Sequence, residues 1–308
     1  MIVIFGYSGF FGHNLTNFFK KNHNIAGISS SEIYFSGDNK HLSIKDGYIL
    51  LGKTPKHSCH IFCASMRYNP EIYKNNPYKV YKHNMDAFNS FISNLYIFKP
   101  NSAILTSSFA VYGSNDQDNN EFAELSSKYF SYGEYFYSLA KMHQEEIFIE
   151  TCKRLDIKYS IARIPSLYGP HSTLDIKNAH VIPSFIMQAL KKKNQTIKAF
   201  GTGKEKREFL YVQDLVKIYD MLLQKEKGIL NISNQKFYTI KELSKLIELN
   251  VPNKVFFEFK GEGVSDISIR KVENDKFIND FKDFKFTSFS FGLEQTIEWY
   301  KSKLHKTL

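Results

Sequence analysis

Residues 2–12, IVIFGYSGFFG, join a short apolar run to three glycines in the spacing GxxGxxG. A continuous run of four apolar residues is typical of a buried parallel strand. After the turn, apolar side chains recur at helical spacing, at Phe11, Leu15, Phe18 and Phe19. Glycines permit a tight turn and a close approach of the backbone to a pyrophosphate, and the N-terminus of the next helix attracts its negative charge. The stretch therefore predicts the strand, turn and helix of a dinucleotide-binding site.

Apolar segments of strand length alternate with helical segments along the chain that follows. Further strands are predicted at residues 24–28, 59–64, 103–107, 159–164 and 228–232. Long helices are predicted at residues 84–98 and 135–155. Alternating strands and helices form a parallel sheet that is covered on both faces. The expected fold is therefore α/β, a Rossmann-type doubly wound parallel sheet with a smaller C-terminal substrate-binding domain.

The regular alternation gives way to loops near Pro165. We therefore predict a dinucleotide-binding domain over residues 1–165, with a returning segment near 211–234, and an interleaved substrate domain over 166–308. The total length of 308 residues suits one large domain or two closely joined ones, at roughly 100–200 residues per domain.

Composition excludes several classes of protein. The chain has 41 Lys and Arg against 31 Asp and Glu, a net charge of +10, and 43% hydrophobic residues, which excludes a disordered chain. No apolar run approaches the roughly 18 residues of a membrane span, and no signal-peptide pattern precedes the first strand. The three cysteines form no CxxC pair, so no metal site is predicted and a cytoplasmic location is expected. The basic residues are spread along the chain, which favours an anionic small ligand over nucleic acid as partner.

The end of the second predicted strand bears on the choice of cofactor. An acidic residue at this place would bind the ribose hydroxyls of NAD. Here the strand ends in Ser29, Ser30 and Ser31, and Glu32 comes later. Small hydroxyl residues leave room for a 2′-phosphate, so NADPH is expected and NADH remains possible.

Tyr137 and Lys141 form a YxxxK pair, whose spacing places both side chains on one face of a helix. A tyrosine hydroxyl ordinarily has a pKa near ~10, and a cation beside it favours the phenolate, which brings such a group into range for acid and base catalysis. Ser107 and Ser108 follow a predicted strand, at the sheet edge where ligands of open α/β sheets bind. A serine there can bind a hydroxyl or carbonyl oxygen of a substrate.

Together, the glycine turn, Ser108 and the YxxxK pair resemble the extended short-chain dehydrogenase/reductase family of nucleotide-sugar enzymes, the NAD-dependent epimerase/dehydratase family. RIPSLYGP at 163–170 is similar to the family's RxxNxYGP segment, with Ser166 in place of the usual asparagine, and residues 200–215 match its GxG…RxFxxVxD pattern. The resemblance implies a cofactor site of Gly6, Ser8, Gly9, Phe10, Phe11, Gly12, Ser29, Ser30, Ala64, Ser65, Asn84, Tyr137 and Lys141. It implies a substrate site of Ser107, Ser108, Ser166, His180, Arg207 and Arg270.

Three segments are similar to the GDP-L-fucose synthase branch of this family: YGPH at 168–171, NAHVIP at 178–183 and REFL at 207–210. Members of that branch epimerise C3 and C5 of a GDP-4-keto sugar and then reduce C4 with NADPH. Their epimerase pair is a cysteine and a histidine. His180 stands at the histidine position, whereas Phe109 or Ala110 stands at the cysteine position and cannot move a proton.

The resemblance implies an NADPH-dependent C4 reductase of a nucleotide-activated 4-keto-6-deoxy hexose or heptose, with GDP as the expected nucleotide, in the biosynthesis of a surface polysaccharide such as a capsule. It implies no 3,5-epimerase activity. The implied catalytic residues are Ser108, Tyr137, Lys141 and His180. Arginines 207 and 270 are implied to contact the diphosphate, which suits the guanidinium fork. Family members usually dimerise through their two long helices, so a homodimer is expected.

Two other functions remain open. A nucleotide-sugar 4-epimerase with tightly bound NAD needs only Ser108, Tyr137 and Lys141. A dinucleotide-binding sensor or scaffold without catalysis is the alternative of another class. A 4,6-dehydratase is not expected, because Phe109 and Ala110 stand where that branch carries Asp and Glu.

Overall fold

The computed structural model describes most of the chain. The described residues are 1–29, 32–36, 43–45, 49–51, 58–64, 75–113, 118–126, 132–192, 194–261 and 271–304. Three of the predicted site residues, Ser30, Ser65 and Arg270, lie outside them.

Strands and helices alternate along the described chain. The strands are β1 (Ile2–Phe5), β2 (Ile25–Ile28), β3 (Ile33–Ser36), β4 (Ser43–Lys45), β5 (Ile49–Leu51), β6 (Cys59–Phe62), β7 (Ser102–Thr106), β8 (Lys158–Arg163), β9 (Ser166–Tyr168), β10 (Gln195–Ala199), β11 (Lys206–Tyr211), β12 (Gly228–Asn231), β13 (Phe237–Thr239) and β14 (Val255–Phe259). The helices are α1 (Phe10–Phe19), α2 (Tyr78–Phe98), α3 (Tyr132–Leu155), α4 (Val181–Lys191), α5 (Val212–Gln224), α6 (Ile240–Asn250), α7 (Asp275–Asp280) and α8 (Phe289–Leu304). None of the helices in these ranges is both long enough and apolar enough to cross a bilayer.

Seven strands form the main sheet, in the order β12-β8-β7-β6-β1-β2-β3. All neighbouring strands in this sheet run parallel except β2 and β3. The predicted Rossmann-type α/β fold is therefore confirmed, and each of the six strands expected from the sequence is present in the sheet.

The side chains of β1 alternate between two apolar layers. Ile2 and Ile4 pack with residues of α1 and α5, whereas Val3 and Phe5 pack with residues of α2 and α3. All four are at most 3% exposed. Full burial of such a side chain contributes about 1.5–3 kcal/mol, and a strand covered on both faces needs apolar residues at every position. Burial of β1 on both faces therefore explains why the run from Ile2 to Phe5 is apolar at every position.

β2 and β3 form an antiparallel hairpin at the edge of the main sheet, which the sequence pattern does not predict. Ile28 pairs with Ile33, and Ile25 pairs with Ser36. The backbone N–H of Ser29 donates to the carbonyl of Glu32 at 3.0 Å, which closes the turn. The hairpin therefore brings Glu32 back beside the end of β2.

The C-terminal part of the chain contains two small sheets, ordered β13-β11-β9 and β10-β14. Its apolar core includes Tyr168, Phe209, Phe289 and Tyr300. After β11 the chain passes through α5 and returns to the main sheet, where β12 pairs in parallel with β8. The boundaries of the two expected domains stay a prediction.

Candidate active site at the carboxyl edge of the main sheet

The glycine turn after β1 leaves no space for a side chain at Gly6 or at Gly12. Gly6 has a φ of +89°, and a Cβ atom on it would lie 2.7 Å from Cα of Ala64. A Cβ atom on Gly12 would collide with the carbonyl oxygen of Gly6. The N–H of Gly9 donates to that same oxygen at 3.0 Å, so the turn is closed tightly on itself. Such a turn lets a ligand approach the backbone closely, which fits the pyrophosphate of a dinucleotide.

Helix α1 begins directly at this turn. Gly9 caps the helix without a side-chain hydrogen bond, and the first turn contains no acidic residue. The first N–H groups of a helix have no acceptor within the helix, and the helix dipole adds partial positive charge there. Ser8 and Gly9 are exposed to solvent. This end of the helix is therefore suited to an anionic group.

A carboxylate stands near the glycine turn, at the hairpin of β2 and β3. The ring of Tyr7 lies over Gly27 and stacks on Tyr34 with the ring centres 5.8 Å apart. Burial and a hydrogen bond to the Glu32 carboxylate raise the pKa of Tyr7 to about 12. The hydroxyl of Ser29 bonds to the backbone of Glu32 at 3.3 Å. The sequence pattern places Glu32 beyond the end of the strand, and only the hairpin turn brings it to this place.

Tyr137 and Lys141 lie on one face of α3, as the YxxxK spacing predicts. Lys141 is 2% exposed, and its ammonium nitrogen lies 6.0 Å from the centre of the Tyr137 ring. The same nitrogen donates to the carbonyl of Thr106 at 2.9 Å, at the carboxyl end of β7. The helix is thereby fastened to the edge of the sheet.

Ser108 begins the 3₁₀ turn Phe109–Tyr112, which follows β7. Its hydroxyl oxygen accepts the N–H of Ala110 at 3.2 Å. Ala110 packs against Tyr137, and its carbonyl accepts the hydroxyl of Ser138 at 2.7 Å. The structure therefore brings the turn of Ser108 against the helix of Tyr137 and Lys141.

Phe109 or Ala110 stands where the GDP-L-fucose synthase branch carries its cysteine, and both residues are apolar. Phe109 and Ala110 are each 4% exposed. His180 is exposed and directly precedes α4, without a side-chain hydrogen bond to cap that helix. The thiol of Cys63 donates to the carbonyl of Phe5 at 3.2 Å, and burial raises its pKa to about 12. The Cys63 thiol is therefore poorly suited to act as a base.

The remaining predicted residues have different surroundings. Asn84 is buried, and its amide donates to the carbonyl of Val80 at 2.7 Å. Ser166 is half-buried at the start of β9.

Burial lowers the pKa of the half-buried Arg207 guanidinium, and the carboxylates of Glu134 and Glu205 act against that shift.

Ser107 is tied to residues that the sequence pattern did not assign to the site. Its hydroxyl donates to the carboxylate of Glu145, which is also bound by Arg163. Both partners are buried. Glu145 follows Lys141 by four residues on the same helix face, and this spacing is the signal from which its place near the site could have been predicted.

All three cysteines, Cys59, Cys63 and Cys152, are free. Among the residues that the structure describes, no group of three or more His, Cys, Asp or Glu side chains could hold a metal ion.

The family model described as "NAD dependent epimerase/dehydratase family" matches residues 2–233. The chain is 30% identical to UDP-glucuronic acid decarboxylase 4 of Arabidopsis thaliana over 141 residues, 46% of this chain and 31% of that protein. It is 30% identical to GDP-L-fucose synthase 1 of the same plant over 177 residues, 54% of this chain and 52% of that protein. In these two matches the chain spans between about a third and half of the curated relative's length.

Solved structures share the fold over nearly the whole chain. One is the UDP-N-acetylglucosamine 4-epimerase of Methanobrevibacter ruminantium M1 in complex with UDP-N-acetylmuramic acid. Its TM-score is 0.79 at 21% identity, and the match covers 98% of each chain.

Proposed function

Because the chain belongs to the NAD-dependent epimerase/dehydratase family, we propose that it is an NADPH-dependent reductase acting at C4 of a nucleotide-activated 4-keto-6-deoxy sugar. The observation that carries the proposal is the contact between the turn of Ser108 and the helix of Tyr137 and Lys141. A proton donor, a buried cation and a hydroxyl group are thereby gathered at the sheet edge where ligands of this fold class bind.

The residues of the chain have distinct roles in this proposal. The glycine turn of Gly6, Gly9 and Gly12 would hold a nicotinamide dinucleotide, which would supply the hydride for C4. Tyr137 donates a proton to the C4 oxygen, and the charge of Lys141 stabilises the phenolate that remains. The oxygen of Ser108 already accepts the N–H of Ala110, so its own hydrogen can be donated to the C4 oxygen. The ketone becomes an alcohol with one hydride and one proton added.

The substrate's anionic end requires cations. We assign the diphosphate to Arg207 and Arg270, with GDP as the nucleotide, and the sugar to Ser166 and His180. The charge of Glu134, three residues before Tyr137 on the same helix, acts on the Arg207 guanidinium, which supports this assignment. The relative named GDP-L-fucose synthase 1 supports the choice of nucleotide. The product would serve the synthesis of a surface polysaccharide.

A second candidate, a nucleotide-sugar 4-epimerase with tightly bound NAD, is favoured by one observation. The Glu32 carboxylate lies against Tyr7 in the glycine turn. A negative charge near the adenosine ribose binds hydroxyl groups well and repels the 2′-phosphate of NADPH. The solved 4-epimerase of similar fold is consistent with this candidate.

One cofactor assay separates the candidates. With GDP-4-keto-6-deoxymannose and NADPH, the reductase lowers the absorbance at 340 nm. The epimerase instead interconverts UDP-glucose and UDP-galactose without consuming cofactor, and NAD is recovered from the denatured protein. A protein that binds NAD(H) or NADP(H) but turns over no nucleotide sugar would be the sensor or scaffold.

We also propose that the protein forms a homodimer through α2 and α3. Apolar side chains on these helices are 38–56% exposed in the single chain: Tyr78, Tyr96, Ile97, Tyr135 and Ile147. Covering them with a second copy would remove apolar surface from water. One chain has a mass of 35.9 kDa, and light scattering should give twice that mass. The mass of a single chain would contradict the proposal.

A further inference from the structure

A buried ion pair lies behind the proposed catalytic residues. Glu145 follows Tyr137 by eight residues on α3 and is 1% exposed, and Arg163 ends β8 and is 2% exposed. Nη2 of Arg163 donates to Oε2 of Glu145 at 2.7 Å, and Nε lies 3.1 and 3.2 Å from the two carboxylate oxygens. The pair joins the helix of Tyr137 to the sheet.

The ion pair is bonded to the start of the turn that carries Ser108, the predicted catalytic serine. The hydroxyl of Ser107, the residue before that serine, donates to Oε1 of Glu145. The N–H of Ser107 donates to the carbonyl of Ala162 at 2.7 Å, and the N–H of Phe109 donates to the carbonyl of Ile164 at 3.0 Å. Both neighbours of the serine are therefore fixed to β8 and the residue after it.

The ion pair also holds the far end of the same turn. Nη1 of Arg163 donates to the hydroxyl of Tyr112, the last residue of the 3₁₀ turn, at 2.7 Å. That hydroxyl donates in turn to the side-chain carbonyl of Asn231 at 2.6 Å, at the end of β12. Nη1 also donates to the carbonyl of Glu121 at 3.2 Å. The guanidinium, its carboxylate partner and the turn form one connected set of hydrogen bonds.

We infer that Glu145 and Arg163 are positioning residues that fix the turn of Ser108 against the helix of Tyr137. This inference rests on the proposed function and gives Ser107 a different role from direct substrate binding, since its hydroxyl acts through Glu145. Stability alone gives little reason for a buried ion pair at this place, whereas precise positioning of the catalytic groups does. A buried ion pair adds little stability compared with apolar residues of similar volume, whereas a catalytic group displaced by about 1 Å can lose about 10²-fold in rate.

Two single substitutions test the inference without leaving a charge unpaired. Ser107→Ala and Tyr112→Phe each remove one hydroxyl group and keep Glu145 bound to Arg163. Hydrogen exchange measured by mass spectrometry should become faster in residues 108–113 and stay unchanged elsewhere. With the 4-keto sugar, kcat should fall about tenfold or more while KM stays unchanged, because the reacting groups lose alignment and the substrate contacts remain.

Thr287→Val is the matched control. It removes a hydroxyl that donates to the buried carboxylate of Asp214 at 2.6 Å, a bond between the segment before α8 and the first turn of α5. Neither the exchange of residues 108–113 nor kcat should change in this variant.

Unchanged exchange of residues 108–113 in both test variants would overturn the inference. A raised KM with unchanged exchange would do so as well and would assign Ser107 to substrate binding. If the wild-type protein turns over no nucleotide sugar, the proposed function fails, and the exchange measurement still decides whether the ion pair fixes the turn.

Discussion

The ammonium nitrogen of Lys141 lies 6.0 Å from the centre of the Tyr137 ring and is held there by the carbonyl of Thr106 at 2.9 Å. The hydrogen bond fixes a positive charge beside the tyrosine. A charge that is already in place can stabilise a phenolate without rearrangement of the site. The pair is therefore preorganised to exchange a proton with a bound ketone or alcohol.

Replacing Tyr137 by Phe should remove the proton donor and keep the buried ring. Turnover with the 4-keto sugar should fall by about 10²–10⁴-fold, the usual contribution of a general acid. Binding of NADPH, followed by fluorescence titration, should barely change, because the phenyl ring still fills the space beside Ala110. Near wild-type turnover would mean that another group donates the proton.

Replacing Glu32 by Gln should shift cofactor preference toward NADPH. The substitution removes a negative charge beside the glycine turn, and the repulsion of a phosphate about 4 Å away through water is about 1 kcal/mol, or about fivefold in affinity. The ratio of the dissociation constants of NADPH and NADH, measured by fluorescence titration, reports the change. Ser29→Asp adds a charge at the same hairpin and should move the ratio in the opposite direction. A ratio that neither variant alters would place the adenosine ribose elsewhere.

The product of the reduction should retain its configuration at C3 and C5. Inversion needs a group on each face of the sugar, and Phe109 and Ala110 are apolar where a cysteine would act. The reaction is run in deuterated water and the product is assigned by NMR. Inverted C3 or C5 carrying deuterium would refute the prediction. Deuterium with retained configuration would instead identify His180 as a single base acting on one face.

Replacing His60 by Leu should stabilise the fold. His60 lies on β6 and is fully buried, and neither of its ring nitrogens has a hydrogen-bond partner among the described residues. An unsatisfied buried polar group costs about 1–3 kcal/mol. Urea denaturation at pH 7 should show a gain of this order. The exposed His23, replaced by Gln, is the control and should leave the free energy of unfolding unchanged.

The benefit of His60→Leu should grow as the pH falls. Burial lowers the pKa of His60 to about 3, whereas an unfolded histidine titrates near its ordinary value of 6.5. Above that ordinary value both states are neutral, so the cost of burying the unsatisfied ring does not depend on pH. Below it only the unfolded chain binds the proton, so wild-type stability declines by up to about 1.4 kcal/mol per pH unit until the folded pKa is reached. Equal gains at pH 7 and pH 5 would contradict this prediction.

The sequence alone determined the features that depend on local spacing. The apolar run of β1 and the three glycines predict a strand, a turn and a helix because backbone geometry sets the period of each element. The YxxxK spacing predicts the shared face of Tyr137 and Lys141 for the same reason, since residues four apart lie on one side of a helix. The six parallel strands of the main sheet and the helix of the proposed proton donor were therefore predictable.

Only the tertiary structure decided which distant residues meet. Glu32 reaches Tyr7 because β3 turns back antiparallel on β2. Ser107 meets Glu145 and Arg163 because β7 and β8 both end beside the middle of α3. No local period encodes these contacts. They follow from the register of strand pairing and from the packing of helices on the sheet, which depend on the burial of side chains from all parts of the chain at once.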